Sequence, residues 1–233
     1  MALRVDKRAL VTGGNRGIGL AIARGLLDKG CEVIITSRSL EKAERAAKDL
    51  KGTVTALELD VSDDDSIARA VESIGQNGDR LDVLVNNAGI YPDEGVDILT
   101  VSRDLLAKTT NANTFGAIRM VQACLPLLER SPDARVISVS SGYGALDGLT
   151  AGVPSYCLSK FALNGATVML AQALQTRGIA ANVIDPGWVR TDMGGTSAPR
   201  SPEQGADTAI WLATEASPEE TGKFWRDREV VAF

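Results

Sequence analysis

The chain has 233 residues, 44% hydrophobic and 24% charged, with a net charge of −5. That is ordinary globular composition, and an acidic balance with both signs interspersed argues against nucleic acid or an anionic membrane as the main partner. No histidine is present, so His-based triads and His metal ligands are excluded.

The opening "MALRVDKRALVTGG" lacks the pattern of a signal peptide, and no apolar run is long enough to span a bilayer. A cytoplasmic protein is expected. Cys31, Cys124 and Cys157 are an odd number at wide spacing, which suggests reduced thiols rather than disulfides or a zinc site.

Short β-branched runs alternate with longer helical patterns. "RALVTG" reads as a strand and "GIGLAIARGLLDKG" as a helix ending at Gly30. "CEVIITS" is a strand, "SLEKAERAAKDLK" a helix and "TVTALELD" a strand. "SDDDSIARAVESIG" reads as a helix capped by Ser62, with acids in its first turn. This acidic run reads as a solvated helix start, so no metal site is expected. "LDVLVNNAG" is a strand, followed by a long helical stretch to about Arg130. Then come "ARVISVSS" as a strand, a helix over 155–177, "IAANVIDPG" as a strand, "SPEQGADTAIWLAT" as a helix and "GKFWRD" as a short last strand.

This alternation predicts a single-domain α/β fold over residues 1–233, a Rossmann-type doubly wound parallel sheet of about seven strands with helices on both faces. Segments 90–100, 142–155 and 188–201 are candidate substrate loops.

The first strand ends in "VTGGNRGIG". Glycines at 13, 17 and 19 allow a tight turn, a close approach to a pyrophosphate and packing of the helix on the sheet. The spacing is G-x-x-x-G-x-G, not the usual G-x-G-x-x-G. The second strand ends with Ser37 and Arg38 where an NAD-binding fold would carry an acid for the ribose 2′-hydroxyl. With Arg16 inside the turn, this set suits a 2′-phosphate, hence NADP.

The chain resembles the classical short-chain dehydrogenases/reductases over essentially its full length. The matching pieces are "TGGNRGIG", "LDV", "NNAG", "NTFG", "VSS", "YCLSK" and "PGWVRTDM". The tail is similar to the carbonyl reductase branch, although the long insertion of animal carbonyl reductases before the tyrosine is absent. The resemblance implies a catalytic Asn113, Ser141, Tyr156 and Lys160, with Asn113 holding a water. Ser141 rather than Ser140 rests on the family's "VSS" alignment alone. It further implies that Gly13, Asn15, Arg16, Gly17, Ile18 and Gly19 bind the cofactor at the turn. Ser37, Arg38, Asp60 and Val61 would serve the adenosine half. Asn87, Ala88 and Gly89 would line the cleft, with Tyr156 and Lys160. Pro186, Gly187, Val189 and Thr191 would bound the nicotinamide side. Helices of family members pair between subunits, which implies a homodimer or homotetramer.

Tyr156 and Lys160 lie one helical turn apart. A nearby ammonium lowers a phenol pKa by roughly 1–3 units, toward the range where it can exchange protons. The expected reaction is reduction of a ketone or aldehyde: Ser141 fixes the carbonyl oxygen, NADPH supplies hydride and Tyr156 the proton. Trp188, Met193, Tyr143, Leu146, Leu149 and Val153 are candidates for a substrate pocket. The rival readings are a 3-oxoacyl-thioester reductase and a catalytically idle dinucleotide sensor.

Overall fold

The computed structural model describes residues 7–93 and 95–233. Residues 1–6 and Glu94, which fall in the expected domain and in the 90–100 loop, lie outside the described residues.

One sheet runs through the described chain in the order β3-β2-β1-β4-β5-β6-β7-β8. Its strands are β1 Arg8–Val11, β2 Glu32–Ser37, β3 Val54–Glu58, β4 Val83–Asn86, β5 Arg135–Val139, β6 Ala180–Ile184, β7 Phe224–Arg226 and β8 Glu229–Val231. All neighbours pair in parallel except β7 and β8. The short antiparallel β8 is the strand beyond the seven read from sequence. It is only three residues long, Glu-Val-Val, too short to read as a strand by pattern.

The order reverses between β1 and β4, and the helices fall on the two faces. On one side lie α1 (Gly17–Asp28), α2 (Leu40–Lys48) and α7 (Pro202–Thr214). On the other lie α3 (Asp64–Gln76), α4 (Arg103–Thr110), α5 (Gly116–Leu128) and α6 (Pro154–Gln175). Alternation along each strand divides the core. Ala9, Val11, Val33 and Ile35 pack with Ile22, Leu26 and Leu212, while Leu10, Ile34 and Leu84 pack with Ile74, Met120 and Leu128. Burying each large aliphatic side chain contributes about 1.5–3 kcal/mol. Gly25 lets α1 and α7 approach closely, since a Cβ there would lie 2.2 Å from Ile210 Cδ1.

Helix starts follow local chemistry. The Ser39 and Ser102 hydroxyls accept the N–H groups of Lys42 and Leu105, and Ser201 forms a capping box with Gln204. The expected Ser62 cap is corrected. Asp63 caps α3 through the Asp65 N–H, because Ser62 is engaged by Asp60 Oδ1 through its N–H and its hydroxyl. The expected long helix to Arg130 is divided by a π-helical turn, Asn111–Phe115. All three cysteines are free and buried, and burial raises the thiols of Cys31 to about 11 and Cys124 to about 12. Among the described residues, no helix is long and apolar enough to cross a membrane.

Candidate active site

The carboxyl ends of β1, β2, β4, β5 and β6 open into a cleft of about 2150 Å³. A crevice at the point where strand order reverses is where open α/β sheets bind ligands.

Its first wall is the turn between β1 and α1. Gly13 and Gly17 take left-handed conformations with φ of 63° and 54°. Gly19 has a packing role: a Cβ there would lie 2.4 Å from Asn87 Nδ2 and 2.5 Å from the Gly13 carbonyl. Asn87 donates to the carbonyls of Thr12 and Gly13 at 2.9 and 3.2 Å. The Thr12 hydroxyl accepts the N–H groups of Asn87 and Ala88, each at 3.0 Å. Thr12 therefore ties "NNAG" to the glycine turn. The sequence reading missed it, because a threonine at a strand end signals nothing beyond strand propensity.

The end of β2 brings buried Ser37 and exposed Arg38 to the cleft, with Asp60 and Val61 after β3 alongside. Burial would raise the Asp60 carboxyl, but the Ser62 hydroxyl and N–H and the Arg38 charge together hold it below the usual range. Arg16 also borders the cleft, ion-paired with Asp192 of the opposite loop. Glycines free to meet a pyrophosphate, and a guanidinium without a carboxylate on its own strand end, fit an NADP-type dinucleotide.

The floor is formed by β5 and α6. The Ser141 hydroxyl stands near enough to the Tyr156 phenol to favour its ionised form, while the Ser140 hydroxyl donates to the Lys160 carbonyl, at 3.4 Å. Lys160 is buried and donates to the Val139 carbonyl at 2.8 Å, with Nζ 5.6 Å from the centre of the Tyr156 ring. Burial pushes the phenol well above its ordinary value, Ser141 pulls it down, and the buried carboxylate of Asp185 pushes it up. Burial lowers Lys160 to about 8. The balance expected from sequence, an ammonium acidifying a phenol, is thus outweighed by burial acting on both groups.

Asn113 is buried behind the cleft rather than lining it. Its side chain clasps Ile90, accepting the N–H at 2.8 Å and donating to the carbonyl at 2.9 Å, and donates to Ser159 Oγ at 2.9 Å. It sits in the π-helical turn, a distortion common at functional sites.

Every residue read as cofactor-binding lines the cleft. Of the substrate candidates, Tyr143, Trp188 and Met193 line it, but Leu146, Leu149 and Val153 do not. Leu146 and Leu149 point to solvent, and Val153 is the N-terminal flank of α6. Tyr91, Asp185 and Arg226 line the cleft and were not singled out. The Tyr91 ring stands edge-on to Tyr156 with centroids 4.9 Å apart, and Arg226 donates to Asp185 Oδ2 at 3.3 Å.

The chain is similar in structure to the carbonyl reductase Sniffer of D. melanogaster, at 31% identity with a TM-score of 0.90, covering 98% of this chain and 100% of that one. It is also similar to an NADPH-bound carbonyl reductase from chicken fatty liver, at 29% identity with a TM-score of 0.89, covering 99% and 100%. Among sequence relatives, a 3-oxoacyl-(acyl-carrier-protein) reductase FabG of Pseudomonas aeruginosa is 37% identical, covering 80% of this chain and 75% of that protein. The family model described as short chain dehydrogenase matches residues 7–201. With that match spanning most of its length, the chain belongs to the short-chain dehydrogenase family.

Proposed function

We propose that this protein reduces ketones or aldehydes to alcohols with NADPH. The observation that carries the reading is the placing of Ser141 beside the Tyr156 phenol, with a buried Lys160, in the large cleft at the carboxyl ends of the strands.

When bound, the dinucleotide supplies the hydride. The glycine turn and Asn87–Gly89 would hold it, with Ser37, Arg38 and Arg16 at the 2′-phosphate. NADPH preference is supported by Arg38 at the end of β2 and by the NADPH-bound carbonyl reductase that this chain resembles. The Ser141 hydroxyl donates to the substrate carbonyl oxygen and fixes it beside the phenol. Burial keeps Tyr156 protonated at neutral pH, which suits an acid that must give its proton to a developing alkoxide. Lys160, still largely cationic below about pH 8, stabilises the resulting phenolate. Both amide protons of the Asn113 side chain are taken by Ile90 and Ser159, and its oxygen accepts the Ile90 N–H. A water held there would use the main chain of the π-helical turn or the second lone pair of that oxygen.

The cleft mouth carries Tyr143, Trp188 and Met193, all exposed, which favours an apolar carbonyl compound. Reduction of 3-oxoacyl thioesters is the second reading, favoured by the FabG relative. A panel of ketones, aldehydes and 3-oxoacyl thioesters with NADPH and NADH, followed by loss of absorbance, tests both. Turnover of none of them with either cofactor would overturn the proposal.

A homodimer is part of the proposal. Leu158, Phe161 and Met169 lie exposed on one face of α6, with Gly165 open between them. Phe115 stands exposed on the adjacent turn.

A further inference from the structure

The helix that carries Tyr156 has no cap of its own. Val153 at its N-terminal flank makes no side-chain cap, and Pro154 in the first turn has no N–H. The acceptor comes from another part of the chain. Asp93 is fully buried, and its Oδ2 accepts the Tyr156 N–H at 2.6 Å. Its Oδ1 accepts the Ser155 hydroxyl, which also lies 2.9 Å from Thr109 Oγ1 of α4. A carboxylate at a helix N-terminus is stabilised by the free N–H groups and the dipole. Three residues before Asp93, both backbone groups of Ile90 are clasped by the Asn113 side chain. Segment 90–93 is thereby pinned at both ends, and Tyr91 between the pins stands edge-on to the Tyr156 ring.

We propose that Asp93 is a positioning residue for Tyr156: it anchors the first turn of α6 to segment 90–93, so that the phenol hydroxyl stays at Ser141 with Tyr91 beside it. This rests on the reading of Tyr156 as proton donor.

The test compares Asp93→Ala and Asp93→Asn in the full chain. The readouts are kcat and KM with a reducible ketone, NADPH affinity by fluorescence titration, the solvent deuterium isotope effect and the thermal midpoint. Displacement of a reacting group by about 1 Å costs roughly 10²-fold, so Asp93→Ala is expected to lower kcat roughly 10–100-fold. NADPH affinity should fall far less than kcat, because most residues read as binding it, from the glycine turn to Arg38, lie on elements other than α6. The solvent isotope effect should rise as proton transfer becomes limiting. Asp93→Asn keeps an acceptor for the Tyr156 N–H and should recover most of kcat. If Asp93→Ala does not fold, Asp93→Ser, too short to reach the N–H, takes its place. Wild-type kcat and isotope effect in the shortened variant would overturn the proposal. So would a fall in kcat matched by an equal fall in NADPH-binding sites, which marks simple unfolding. Tyr156→Phe measured alongside separates the two claims. Retained turnover there removes the proton-donor reading, whereas loss there with full turnover in Asp93→Ala removes the positioning role alone.

Discussion

Lys160 Nζ stands 5.6 Å from the centre of the Tyr156 ring but donates its hydrogen bond to the Val139 carbonyl, 2.8 Å away. The cation is thus fixed by the end of β5, beneath the phenol rather than bonded to it. Charge at this distance acts through a low-dielectric interior, where it is worth more than in water.

If the phenol is the acid, Tyr156→Phe removes the proton but keeps the ring against Tyr91. A positioned general acid contributes about 10²–10⁴-fold, so kcat should fall by that order with NADPH binding unchanged. Steady-state kinetics and cofactor titration check this. Ser141→Ala should show a comparable loss, and Ser140→Ala a much smaller one, because only Ser141 reaches the phenol.

Burial lowers Lys160 to about 8, whereas an unfolded lysine titrates near 10.4. Between those values the unfolded state binds more protons, so stability should rise with pH over that window. The buried cysteines and Tyr156 act alike on both proteins, so the urea midpoint of the wild type is expected to gain on that of Lys160→Met from pH 8 to 10. Below pH 8 that variant should be the more stable protein and the poorer enzyme. Reductive kcat/KM of the wild type should run the other way, declining above about pH 8 as the ammonium loses its proton.

Arg38 supplies a cation at the end of β2 that an NAD-binding strand would replace with an acid. A hydrogen bond to a charged group is worth about 1.5–3 kcal/mol. Arg38→Ala should therefore raise KM for NADPH roughly 10–100-fold and leave KM for NADH nearly unchanged. An equal loss with both cofactors would place Arg38 outside the 2′-phosphate site.

Met169 and Phe161 present apolar surface that a second copy would cover. Light scattering of the wild type is expected to give twice the chain mass, and Met169→Glu to shift it toward the monomer by burying an unpaired charge at the contact. A wild-type monomer at high concentration would remove the dimer from the proposal.

Much of this was legible in the sequence because it is encoded locally. The glycine turn, the β-branched runs and the tyrosine–lysine spacing each specify their own conformation, and the helices other than the divided stretch to Arg130 came out within a few residues. What escaped notice depends on residues distant in the chain. Asp93 is an unremarkable acid in a loop until the fold brings it to the N–H of Tyr156, 63 positions later. Asp185 and Arg226 meet only because β6 and β7 are neighbours. The π-helical turn at Asn113 adds no distinctive residue type to an otherwise helical run. Burial also reversed the expected pKa balance at Tyr156 and Lys160, since sequence spacing says how close two groups are but not how dry.

The pairing of Arg16 with Asp192 joins the glycine turn to the loop on the far side of the cleft. Both side chains are exposed, so the pair is weak and screened by salt. On the proposed reading, an incoming phosphate would compete with Asp192 for the same guanidinium. Ionic strength therefore acts twice on the rate of dinucleotide capture: it loosens the pair that occupies Arg16, and it weakens the long-range pull of Arg16 and Arg38 on the anion.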